Sequence, residues 1–283
     1  MSSVMLVTGS ASGIGRHVAE SYYRAGHRVV FADLSAPKLE QICAQLPTGT
    51  GGDALPVAFD ARDEQGWERA IADTVARWGR LDVLLNIAGY LRVDELLSAP
   101  LAAVHDHLDI NAKGVIFGTL LAARQMCRQP EGGHIINVAS LAGIAATPGL
   151  ALYSASKFAV RGFSLAAAYE LAPHNIAVTV VCPDAVQTPM LDLQVDRPEA
   201  ALTFSGGRIL TVAEVAAAIE EARRRRPLEA ILPRHRGWLA KLTSLYPPLS
   251  GWLVEPLRRC GRQRQAKRQA ERQGNGRQEI SPQ

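Results

Sequence analysis

The strongest constraint on this chain is an alternation of short apolar runs with longer helical patterns. The spacing predicts strands over 4–8, 28–33, 55–59, 81–86, 133–139, 176–182 and 228–232. Between them it predicts helices over 14–25, 36–46, 64–78, 102–126 and 150–172. Thr211-x-x-Glu214 forms a capping box that opens a further helix through 222. Strands separated by helices of this length call for right-handed crossovers and a parallel sheet covered on both faces. Near-continuous Val, Ile and Leu runs suit strands buried on both sides. The expected fold class is therefore α/β: a single-domain, doubly wound parallel sheet of about seven strands with an added C-terminal helical extension. Such a sheet binds its ligand outside the carboxyl ends of the strands.

Composition narrows the class further. Hydrophobic residues make up 47% of 283, too many for a disordered chain. Cys43, Cys127, Cys182 and Cys260 are scattered, with no C-x-x-C, which excludes a disulfide framework and a zinc knuckle. No metal site is expected. His105 and His107 precede Asn111, but their i, i+2 spacing puts them on different helical faces and marks them as surface histidines. Residues 1–10 lack the basic and apolar stretches of a secretory leader. No apolar run approaches the roughly 18 to 20 residues needed to span a bilayer. A cytoplasmic protein is expected.

The first strand runs into Thr8-Gly9-Ser10-Ala11-Ser12-Gly13-Ile14-Gly15, which opens the first helix. A pyrophosphate is bound by backbone N–H groups at a helix N-terminus, where no Cβ blocks its approach. Gly9 suits the tight turn, Gly13 the close approach and Gly15 the packing of helix on sheet; Ser12 and Ile14 complete the loop. Asp33 closes the second strand 18 residues after Gly15, where a carboxylate can accept from adenosine ribose hydroxyls and repel a 2′-phosphate. Arg16, just past the loop, is the one base that could favour the phosphorylated cofactor. Asp60 follows the third strand and either meets the adenine amino group or serves as a turn residue. Asn86-Ile87-Ala88-Gly89 follows the fourth, and its small residues let the adenosine half lie against backbone.

A second set of residues carries chemistry. In Tyr153-Ser154-Ala155-Ser156-Lys157, Tyr153 and Lys157 stand i, i+4 and share a helical face. A phenol ionises near pH 10, and a neighbouring ammonium favours the phenolate. A phenol tuned in this way can exchange a proton with an alcohol. Ser140, after the fifth strand, can hold a carbonyl or alcohol oxygen beside Tyr153. Asn111 can anchor a water that links Lys157 to solvent.

Taken together, T-G-S-A-S-G-I-G (8–15), N-I-A-G (86–89), Asn111, Ser140, Y-S-A-S-K (153–157) and P-D-A-V-Q-T (183–188) resemble the short-chain dehydrogenase/reductase family over about residues 3–232. The resemblance implies a Rossmann-type fold and a nicotinamide cofactor. It also implies a small-molecule alcohol or ketone substrate, and a homodimer or homotetramer. It implies a catalytic tetrad of Asn111, Ser140, Tyr153 and Lys157. It assigns NAD preference to Asp33, with NADP the alternative, and nicotinamide contact to Thr188, in the loop that starts at Pro183. Two positions depart from the family pattern: Ile87 stands for the second Asn of N-N-A-G, and Asp184 for a Gly. Ile87 is expected to cost one polar contact, and Asp184 to alter loop shape or charge near the nicotinamide.

Residues 189–210 hold the position of the family's variable substrate lid. Their Met190, Leu191, Leu193, Val195, Leu202 and Phe204 suit a lipid-like or steroid-like alcohol. The alternatives are an NADPH-dependent reductase of acyl-thioester or sphingoid ketones, and a nucleotide-sensing or membrane-docking protein without turnover. Beyond the catalytic domain, 1–232, the chain divides into an amphipathic extension, 233–262, and a basic tail, 263–283, expected to be disordered. Residues 1–222 hold 16 Lys and Arg against 23 Asp and Glu, whereas 223–283 hold 15 against 4. Aromatic anchors and flanking Arg suit an interfacial membrane helix; packing on the core or on a sister subunit is the alternative. No nucleic-acid partner is expected, because no binding fold accompanies the bases. Catalysis is not expected to require this appendage.

Overall fold

The structure is a computed structural model and describes residues 2–278. In chain order the strands are β1 (Val4–Thr8), β2 (Arg28–Asp33), β3 (Asp53–Ala58), β4 (Val83–Asn86), β5 (Gly133–Val138), β6 (Ile176–Pro183) and β7 (Glu229–Leu232). The helices are α1 (Gly13–Arg24), α2 (Ala36–Ala44), α3 (Glu64–Trp78), α4 (Leu101–Leu108), α5 (Gly114–Met126), α6 (Ala151–Leu171), α7 (Pro189–Asp192), α8 (Val212–Arg225), α9 (Arg234–Leu245) and α10 (Pro247–Gln278). All seven strands are parallel and lie in the order β3-β2-β1-β4-β5-β6-β7. The order reverses between β1 and β4, which opens a crevice at their carboxyl ends.

Alternating side chains send each strand into two cores. Met5 and Val7 of β1 pack with Val18, Ala19 and Leu39 of α1 and α2 and with Val215 and Ile219 of α8. Leu6, between them, packs with Trp67, Ala70, Ala122 and Met126 of α3 and α5 on the other face. Helix ends follow their signals. Asp63 accepts from the Gln65 N–H, Gly79 ends α3 at φ +77°, and the Thr211–Glu214 capping box is formed.

Two features differ from the sequence expectation. The predicted helix over 102–126 is broken by a π-helical turn, Asp109–Lys113, that carries Asn111. Such bulges arise where a side chain is re-aimed at a functional site. Second, the expected boundary at 263 falls inside a helix: α10 runs from Pro247 to Gln278, and its polar residues find partners on the lid. The remainder of the expected disordered tail, 279–283, lies outside the described residues. Among the described residues no helix is long and apolar enough to cross a membrane.

Candidate active site

A cavity of about 560 Å³ opens at the β1/β4 switch point. One end is a backbone cradle of Gly9, Ser12, Gly13, Ile14 and Gly15, with Ala88 and Gly89 facing it from the β4 loop. Gly9 sits at φ +73°, and a Cβ there would come within 3.0 Å of the Ala88 backbone, so only glycine lets the two loops close. The Thr8 hydroxyl accepts from the N–H groups of Ile87 and Ala88 at 3.0 and 3.1 Å, pinning these loops together. Asp33 also lines the cavity. Its carboxylate accepts from Ala11 N–H at 3.1 Å and from Ser35 N–H at 3.3 Å, which fixes it against the glycine loop. These residues fit a dinucleotide: a bare-backbone cradle at a helix N-terminus with a carboxylate held beside it.

Ser140, Tyr153 and Lys157 line the same cavity, with Pro183 and Thr188 beside them. β5 ends just before Ser140, and the first turns of α6 present Tyr153 and Lys157. The Ser140 hydroxyl accepts from Ala142 N–H at 3.1 Å and lies beside the Tyr153 phenol. Lys157 is buried, donates from Nζ to the Val138 carbonyl at 2.9 Å, and lies 5.7 Å from the Tyr153 ring centroid. Burial pushes Tyr153 up to about 12, although Ser140 pulls it down, and burial pushes Lys157 down to about 8. For the phenol, burial outweighs the pull of Ser140.

Three expected site residues do not themselves line the cavity. Asp60 is absent from the cavity lining. Its carboxylate is taken by Arg62, Nη2 to Oδ2 at 2.6 Å, and that guanidinium holds it below the usual carboxylate range. Asn86 points into the core beneath the site, donating to Asn137 Oδ1 at 2.8 Å. Asn111 is fully buried and clamps Tyr90: Oδ1 accepts from Tyr90 N–H at 2.6 Å, and Nδ2 donates to Tyr90 O at 2.8 Å. Its other amide hydrogen goes to Ser156 Oγ at 3.0 Å, so the amide group has no hydrogen left for a relay water.

His107 was expected on the surface and is buried instead, while His105 is exposed. Its Nδ1 donates to Ala103 O at 2.7 Å and its Nε2 accepts from Arg92 N–H at 3.3 Å. Its ring meets Tyr90 and Tyr153 edge-on, with centroids 5.0 and 6.5 Å apart. The signal that could have found it is its position four residues before Asn111, on the same helical face.

The far end of the cavity is closed by segments that the sequence left apart. Asp184 accepts from Arg236 Nε of α9 at 2.8 Å, and Arg236 also donates to Ser205 Oγ of the lid at 3.2 Å. The departure at 184 is therefore an anchor for the extension. Leu239 and Ala240 of α9, and Leu253, Val254 and Leu257 of α10, line the cavity, so the extension reaches the site. α10 packs on the lid of its own chain, while Trp238, Leu245 and Trp252 are exposed.

A sequence model of the family described as short chain dehydrogenase matches residues 3–198. L-2,3-butanediol dehydrogenase of Corynebacterium glutamicum is 37% identical over 199 residues, 69% of this chain and 76% of that protein. Cyclopentanol dehydrogenase of Comamonas sp. (strain NCIMB 9872) is 35% identical over 207 residues, 73% of this chain and 82% of that protein. Among solved structures, a short chain dehydrogenase from Mycobacterium paratuberculosis bound to NAD is similar with a TM-score of 0.74 at 24% identity, covering 83% of this chain and 98% of that one. That likeness speaks for the fold.

Proposed function

The chain belongs to the short-chain dehydrogenase family, and from that premise we propose that it interconverts a hydrophobic secondary alcohol and its ketone with NAD. The observation that carries the proposal is the single cavity in which the glycine cradle meets Ser140, Tyr153 and Lys157. Gly9, Ser12, Gly13, Ile14 and Gly15 would hold the pyrophosphate, Asp33 the adenosine ribose, and Pro183 and Thr188 the nicotinamide end. When bound, an oxidised nicotinamide supplies the hydride acceptor and a positive charge beside the phenol.

The chain's own residues handle the oxygen and its proton. Ser140 Oγ, which lines the cavity with the phenol, holds the substrate oxygen next to Tyr153. Tyr153 Oη takes the alcohol proton in oxidation and returns it in reduction. Lys157 Nζ, anchored on the Val138 carbonyl, places a charge near the ring that favours the phenolate. Asn111 is a positioning residue that holds Tyr90 at the cavity wall.

Support for NAD over NADP comes from the residues around Asp33. Leu34 follows it, and Arg16 is paired with Glu20 at 2.7 Å rather than turned to the cradle. Relatives named for 2,3-butanediol and cyclopentanol support a secondary alcohol. The test is Tyr153→Phe, assayed with NAD over a panel of secondary alcohols. Turnover is expected to fall at least about a hundredfold while NAD binding, followed by fluorescence, is retained. A variant that keeps substantial activity refutes the proton role. A strong NADPH preference in parallel cofactor kinetics refutes the assignment of Asp33.

A further inference from the structure

The far wall of the cavity is built by residues beyond the family match, which ends at 198. Leu239 of α9 and Leu253, Val254 and Leu257 of α10 line the space shared with Tyr153. The hydroxyls at this wall are engaged by backbone carbonyls: Thr243 donates to Ala240 O at 2.9 Å and Ser250 to Thr243 O at 3.4 Å. Among the described residues, the charged side chains lining this end are Asp184 and Arg236, and they neutralise each other. What remains facing the cavity is apolar.

The wall is also fixed in place. One glycine lets α10 touch the lid, since a Cβ at Gly261 would overlap the Ala201 carbonyl. Gln265, itself buried, donates to the carbonyls of Gln194 and Arg197 at 2.7 and 2.8 Å. Arg264 donates to Ser205 O at 2.6 Å, and Arg272 pairs with Asp192 at 2.7 Å. Thus α10 divides along its length: the apolar first turns face the cavity, and the later basic turns hold the lid by its carbonyls and acids.

We infer that α9 and α10 form the specificity wall of the substrate site, with Leu253, Val254 and Leu257 seating the apolar end of an uncharged alcohol or ketone whose carbinol carbon lies at Tyr153. This rests on the oxidoreductase function proposed above. Such a wall rewards each buried methylene by roughly fourfold in kcat/KM. It also disfavours a substrate whose far end carries an uncompensated charge.

The test uses the full chain with NAD and a series of 2-alkanols from 2-butanol to 2-decanol. In the wild type, kcat/KM is expected to climb with chain length. Val254→Trp, which fills the wall, is expected to lower kcat/KM for 2-decanol at least about tenfold while changing 2-butanol less than about threefold. NAD affinity is expected to be unchanged. Leu257→Ala is the milder partner and should flatten the climb over the last methylenes; its result decides the matter if Val254→Trp no longer binds NAD. Equal changes for short and long alcohols, or none for either, overturn the specificity wall. A wild type that oxidises no alcohol and reduces no ketone refutes the oxidoreductase function itself, and that outcome is distinct from turnover without length selection.

Discussion

Two regions close on the same cavity from opposite sides. The floor is the carboxyl edge of the sheet: the glycine loop, Asp33, the β4 loop, Ser140, and the start of α6. The roof is the lid, residues 189–210, with α9 and α10 strapped over it. The floor is built from short-range geometry, each residue standing at a strand end or in the first turns of a helix. The roof is built from long-range pairs such as Arg264 with Ser205, 59 residues apart, and Gln265 with Gln194, 71 apart. On the proposed function, that difference would separate chemistry from selection: damage to the floor should affect every substrate alike, and damage to the roof should discriminate among them.

The hardest test of that separation is Lys157→Met. Without the buried ammonium near Tyr153, kcat is expected to fall about 10²- to 10⁴-fold, by the same factor for short and long alcohols. Steady-state kinetics on two substrates of different length measures it. A loss confined to long alcohols would place Lys157 in selection and break the division. Asp33→Ala comes next in size. It removes charge-assisted hydrogen bonds, worth about 1.5–3 kcal/mol, so NAD affinity should drop roughly ten- to a hundredfold and discrimination against NADP should relax. Titration of both nucleotides reads this out, and the ranking of alcohols should not move.

On the roof, Arg236→Met leaves Asp184 with its charge partner gone at a site where both side chains are mostly buried. The cost is about 1–3 kcal/mol, seen as a melting temperature lowered by several degrees. Because this pair ties β6 to α9 and the lid, KM for long alcohols should rise more than KM for short ones. An unchanged melting temperature would mean that the anchor is decorative.

The same division explains what could be read from sequence. Gly9, Tyr153 and Lys157 were legible because a phosphate approach or a tuned phenol demands particular residue types at fixed local spacing. Asn86 and Asp60 stand where the motif puts them, but a motif marks a position and not the direction of its side chain. Asn86 points inward to Asn137 and Asp60 turns to Arg62. His107 stands one helical turn before Asn111 and is buried with it, a relation that its i, i+2 spacing from His105 does not reveal. The roof was illegible for another reason. Its bases looked like a solvated or membrane-seeking tail because their partners, carbonyls and acids of the lid, have no periodic relation to them in the chain. Asp184 was the one local sign, an unexplained carboxylate awaiting a cation 52 residues downstream.

The smallest effect belongs to the sheet that carries the floor, at its amino edge, away from the chemistry. His134, near the start of β5, is buried and bonded through Nε2 to Thr179 Oγ1 at 2.9 Å. The Thr179 hydroxyl gives its own proton to Pro227 O at 2.6 Å, so Nε2 is the donor and the ring is neutral. Burial, with the nearby Arg226 cation, pushes this histidine down to about 4 from an ordinary 6.5. The unfolded chain therefore takes up a proton in the window between 6.5 and 4 that the folded chain refuses. Stability from this group is complete above pH 6.5 and is lost as pH falls toward 4. Between pH 7 and 5.5 the loss should be about 1 kcal/mol. Denaturant titrations of the wild type and His134→Gln at both values measure it, the variant losing less on acidification. Substrate ranking should be the same in both proteins, because His134 does not line the cavity. A change in ranking would show that floor and roof are coupled through the sheet.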